Sequence, residues 1–83
     1  MANYTNNMKL IGKKLYLSNK TLHGKKTIHE NGTVWIVIDF KEKVLACGMK
    51  PAYCVESIST KAWRWIAEEP NEDRDFFWSV MGN

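Results

Sequence analysis

Asn31-Gly32 is followed at once by Thr33-Val34-Trp35-Ile36-Val37-Ile38-Asp39-Phe40. A turn dipeptide abutting a β-branched, aromatic run is the strongest local constraint in the chain. Both central residues of a type I′ hairpin need positive φ, and Asn-Gly adopts it at low cost. A two-residue loop would set Glu30 opposite Thr33, His29 opposite Val34 and Ile28 opposite Trp35. Opposed residues share a face. Val34, Ile36, Ile38 and Phe40 are therefore expected to point into a core. Trp35 falls on the other face with Ile28, Val37, Asp39 and Lys26, a set that is neither cleanly apolar nor cleanly polar.

The flanking segments extend this unit. Leu15 and Leu17 alternate around Tyr16, which suits a strand, with a bend or bulge at Gly12. Lys41-Glu42-Lys43 reads as the next turn, Val44 to Cys47 as the next strand and Gly48 to Pro51 as a loop. That pairing puts Leu45 and Cys47 on the face of Trp35. Tyr53-Cys54-Val55 fits either a short strand or the approach to a helix.

From Ser59 onward the pattern is read as helical. Ser59 is an N-cap candidate, Ala62, Trp63, Ile66 and Ala67 form one stripe at 100° per residue, and Pro70 stops the helix. A second short helix starts at Asn71, with Glu72, Asp73 and Asp75 near its positive end and Phe76, Phe77, Val80 and Met81 on its apolar arc; Gly82 ends it. Strands first and helices last, with short connections, indicate an α+β domain. The expectation is an antiparallel β-meander of three to four strands followed by two short C-terminal helices. Residues 1–83 form a single small domain in this reading, with residues 1–7 flexible.

Eighty-three residues must fill one core, and a composition that is 45% hydrophobic with four Trp, three Tyr and three Phe allows it. The formal charge of +3 is unevenly spread. Residues 1–50 carry nine Lys against three carboxylates, and residues 51–83 carry Lys61, Arg64 and Arg74 against six. Two cysteines make no disulfide scaffold, and no apolar run has the length of a signal peptide or a membrane span. A cytoplasmic protein with reduced thiols and no membrane association is expected.

No stretch carries a catalytic or ligand motif. His23, His29, Cys47 and Cys54 lack the spacing of a metal site, and no P-loop or dinucleotide fingerprint is present. No cofactor is expected. Cys47 or Cys54 with His29, or His29 with Lys25 or Lys26, are the nearest approaches to catalytic pairs, and nothing local supports them.

Protein binding fits the residues best. Trp35, Trp65 and Trp78 fall off the best apolar stripe of their elements, and tryptophan beside Lys or Arg is the composition of interface anchors. The expected contact set is Trp35, Lys61, Arg64, Trp65 and Trp78, on a non-enzymatic domain that occupies a surface of a larger protein. Phages and other mobile elements encode many small motif-free domains that inhibit or modulate host protein machines, which adds an expectation by association. The alternative is a nucleic-acid-binding domain with a basic sheet face at Lys25, Lys26, Trp35, Lys41 and Lys43. A homodimer would also cover the apolar residues that surround Trp35.

Overall fold

The structure, a computed structural model, describes residues 10–45, 48–69 and 72–81. These form five strands and one α-helix: β1 (Lys14–Asn19), α1 (Leu22–Asn31), β2 (Val34–Leu45), β3 (Gly48–Ser57), β4 (Trp63–Ala67) and β5 (Phe76–Val80). All strand pairs are antiparallel, in the order β4-β3-β2-β1-β5. The expected strand at Leu15–Leu17 is present as β1. The expected pair of C-terminal helices is overturned: both segments are strands. Five-residue runs such as Trp63–Ala67 and Phe76–Val80 fit a helical arc and a strand alternation equally well. Their Trp, Phe, Ile and Val content favours the pleated surface.

The Asn31-Gly32 hairpin is also overturned. The preceding residues are helical, and Thr21 is the N-cap, its hydroxyl accepting the Gly24 N–H at 3.0 Å. Gly32 then ends the helix with φ 85° while its N–H reaches Ile28 O at 2.7 Å. Glycine with positive φ serves a helix end as well as a hairpin turn, and the cap at Thr21 decides between them.

From Val34 to Ile38 the face of β2 is inverted relative to expectation, while Phe40 is buried as expected. Trp35, Val37 and Phe40 are buried, whereas Ile38 is exposed. A register shift between Val37 and Asp39 explains the odd spacing: a bulge at Ile38 lets Val37 and Phe40 point the same way although they are three apart. Lys41-Glu42-Lys43 lies inside β2 rather than in a turn, and Gly48–Pro51 opens β3 rather than forming a loop. Ala46, Cys47, Pro70, Asn71, Gly82 and residues 1–7, to which the sequence assigned roles, lie outside the described residues.

The core consists of Leu15, Leu17, Trp35, Val37, Phe40, Tyr53, Val55, Ile66, Phe76 and Trp78, with Ile28 of the helix packed against it. The sheet curls around these side chains until its two end strands meet. Trp78 Nε1 of β5 donates to Ala67 O of β4 at 2.9 Å. Asp73, just before β5, accepts the Ala67 N–H at 3.0 Å, and it also accepts the N–H groups of Asp75 and Phe76. Arg64 of β4 lies 4.5 Å from the Phe76 ring and 3.6 Å from the Asp75 carboxylate. The result is a half-closed barrel, sealed at the seam by side chains rather than by a strand ladder. Such closure removes part of the exposed edge that an open sheet would present.

The helix crosses the end where β1 finishes and β2 begins. Thr21 Oγ1 donates to Asp75 Oδ1 at 2.8 Å, and Ser57 Oγ donates to Asn31 O at 2.5 Å, tying both helix ends to the barrel.

Candidate functional site

The inward residues of each strand fix which residues must face out. From β5 to β3, one outward row reads Ser79, Tyr16, Val34 and Ile58, the last through its N–H bond to Val34 O. The next row reads Met81, Lys14, Ile36, Glu56 and Trp63, crossing all five strand positions. Phe77 flanks the first row opposite Ser18. Trp63 is 63% exposed, Tyr16 48% and Phe77 46%, and Ile58 and Met81 are also exposed; Val34 and Ile36 are half-buried. These rows thus carry more exposed aromatic and aliphatic surface, between Lys14, Glu56 and Ser79, than the polar face that an antiparallel sheet usually turns to water. Contiguous exposed apolar surface rimmed by polar groups is characteristic of interaction sites.

Toward the hairpin end of β2 and β3 the outward residues change character. Lys41, Lys43 and Lys50 stand there with Asp39, Cys54 and Trp65. Lys41 Nζ is 3.9 Å from Asp39, Lys50 Nζ is 3.6 Å from Glu72, and Lys43 Nζ sits 4.8 Å from the centre of the Trp65 ring. The Cys54 thiol is buried between these groups, and its pKa is raised, first by that burial and then by Asp39 and Glu56, against the opposing pull of Lys43. A raised pKa keeps the thiol protonated and a poor nucleophile.

The residues singled out from sequence are dispersed. Trp35 is 1% exposed, and its Nε1 donates to Gly32 O at 3.0 Å. Trp78 is 8% exposed. Both indoles found carbonyl partners inside, which lets a tryptophan serve as core, so neither is presented to a partner. Arg64 points inward to the barrel seam. Trp65 is half-buried beneath Lys43, and Lys61 is exposed in the turn after β3 with φ 67°. The basic set is divided too: Lys25 and Lys26 lie on the exposed side of the helix, Lys41 and Lys43 lie at the hairpin end, and Trp35 is inside. The sequence reading missed Tyr16, Val34, Ile36, Ile58, Trp63 and Phe77. Tyr16 was legible: if Leu15 and Leu17 point in, the residue between them points out.

Among the described residues no group of three or more His, Cys, Asp or Glu is placed to hold a metal ion. A cavity of about 270 Å³ is lined by His23, Arg74 and Asp75. Its carboxylate is already engaged by Thr21 and Arg64 in holding helix and seam together. His29, the residue favoured for any catalytic pairing, is exposed on the helix and is not among those that line this cavity. No helix among the described residues is long and apolar enough to cross a membrane.

Comparison with known proteins adds no relative: the chain matches no family model, no curated protein and no solved structure.

Proposed function

We propose that this chain is a non-enzymatic protein-binding domain that docks through the outside of its sheet. One observation carries this reading: the outward rows of the barrel hold Phe77, Tyr16, Val34, Ile58, Ile36 and Trp63, with Lys14, Glu56 and Ser79 set among them. Tyr and Trp are the residues on which binding energy concentrates, because they bury much area with few rotatable bonds. Trp63 at the β4 edge and Tyr16 on β1 are the anchors in this reading. Their exposure means that the barrel does not need them for its own core.

Binding of nucleic acid has less support. Lys41 and Lys50 are drawn to carboxylates of the same chain, and Lys43 is folded over Trp65. Glu56 stands within the aromatic band itself.

Affinity capture from the native cell tests the docking reading, using the wild-type chain, a Tyr16→Ala/Trp63→Ala variant and a Leu22→Ala control on the exposed helix surface. The expected result is a bound polypeptide lost with the double variant and kept with the control. Equal capture by all three folded proteins would remove the outside band from the account.

A further inference from the structure

We propose that the occupant of this face is a second copy of the chain, packed face to face about a two-fold axis that runs along β2 through Ile36. The proposal rests on the docking reading above and names its partner.

The argument comes from the order of residues across the sheet. β2 is the middle strand, and Ile36 is the middle residue of the row Met81, Lys14, Ile36, Glu56, Trp63. Lys14 and Glu56 therefore flank Ile36 one strand away on either side, a spacing of about 4.8 Å each. A two-fold axis lying along β2 in the interface exchanges left for right. It sets Lys14 of each copy opposite Glu56 of the other, while the curl of the sheet turns Met81 and Trp63, at the ends of the row, away from the axis. Ile36 meets Ile36 on the axis. In the neighbouring row Val34 meets Val34, and Tyr16 meets Ile58. Within these two rows the charges and the apolar residues are thus self-complementary, as an isologous interface requires, whereas Lys41 and Lys43, farther along β2, would face their own copies and lie outside the contact.

Neither Lys14 nor Glu56 belongs to an ion pair within the chain among the described residues. Asp39 also lies along β2, where a second Asp39 would approach it. It stands beyond the bulge at Ile38, with Lys41 3.9 Å away, and it accepts the Phe40 N–H at 2.8 Å. Packed sheets cross at about 30°, which separates rows distant from the axis. Contact is concentrated on the two rows centred on Val34 and Ile36.

The test is sedimentation equilibrium over a range of concentrations, with circular dichroism on each variant to verify folding. Wild type is expected to approach twice the 9.6 kDa chain mass as concentration rises. Lys14→Glu and Glu56→Lys are each expected to raise the dimer dissociation constant about tenfold or more, since each places like charges opposite one another twice. The double variant Lys14→Glu/Glu56→Lys restores opposite charges and is expected to return close to wild type. A wild-type chain that stays monomeric at every concentration overturns the proposal, as does a double variant no tighter than the singles. If wild type is monomeric while capture from cells still depends on Tyr16 and Trp63, the second copy is wrong and the docking reading survives. If capture is indifferent as well, both fail.

Discussion

The Trp78 indole donates its Nε1–H to the Ala67 carbonyl at 2.9 Å, joining strands that stand at opposite ends of the sheet order. The same ring packs edge-on against Tyr53, 5.8 Å between centroids and 88° between planes. One residue thus closes the barrel seam and fills the core behind it. Trp78→Phe keeps most of the apolar volume and removes the donor, leaving a buried carbonyl without that bond; the expected cost is about 1–3 kcal/mol. Trp78→Ala also opens a cavity and is expected to cost about 3–5 kcal/mol. Urea denaturation of the two variants separates the bond from the bulk.

Asp73 is the second element of the seam. Its carboxylate accepts three backbone N–H groups, from Ala67, Asp75 and Phe76, all buried. Bonds to an ionised acceptor are worth roughly 1.5–3 kcal/mol each, and their loss leaves buried donors unpaired. Asp73→Ala is expected to lower stability by about 3 kcal/mol or more. In thermal unfolding this would appear as a fall of over about 10 °C in Tm, given the size of the domain. Asp73→Asn, which keeps an acceptor at the site, is expected to fall between the two.

Gly24 illustrates packing overriding helix propensity. Alanine is favoured over glycine in a helix interior by about 1 kcal/mol. Here an added Cβ would stand 2.4 Å from Asp75 O, a backbone atom that also accepts the Lys20 N–H. Gly24→Ala is therefore expected to destabilise the protein, and chemical denaturation gives the sign directly.

Burial raises the Tyr53 phenol to a pKa of about 12, with the Glu68 carboxylate adding to the effect. The unfolded chain gives up this proton at about pH 10, so from there upward the unfolded state is favoured. Stability from this group is complete below pH 10 and is lost as pH rises from about 10 to 12. One pKa unit corresponds to about 1.4 kcal/mol, which makes the total loss on the order of 2–3 kcal/mol. Across that range the denaturation midpoint of wild type should fall relative to that of Tyr53→Phe, which lacks the ionisable group; parallel midpoints would show that this titration is not responsible.

How much of this was legible in the sequence varies by element. The alternation of Leu15 and Leu17 gave β1, because two inward leucines around one outward tyrosine need no knowledge of the rest. The inward face of β2 was read with the wrong parity. Val34, Ile36 and Ile38 are as apolar as Trp35 and Val37, so hydrophobicity alone did not separate the faces, and the bulge that carries Phe40 back inside leaves no local signal. Gly32 reads as a hairpin turn residue and is instead a helix C-cap, since positive φ is common to both motifs. The C-terminal segments were too short for their period to be read. The docking band depended on these assignments. With β2 inverted and β4 and β5 taken as helices, Trp35 and Trp78 stood out as surface residues, and Tyr16 and Trp63 did not.

The central claim is that the outside of the sheet is occupied by polypeptide in the cell. Site-specific photo-cross-linking tests it most directly, with a photoreactive aromatic analogue placed at the position of Trp63 and, as a control, at the position of Leu22, which is exposed on the helix. The account predicts a discrete cross-linked polypeptide from the Trp63 position that is absent from the Leu22 position. Absence of any cross-link at the Trp63 position, or the same products from both, would contradict it.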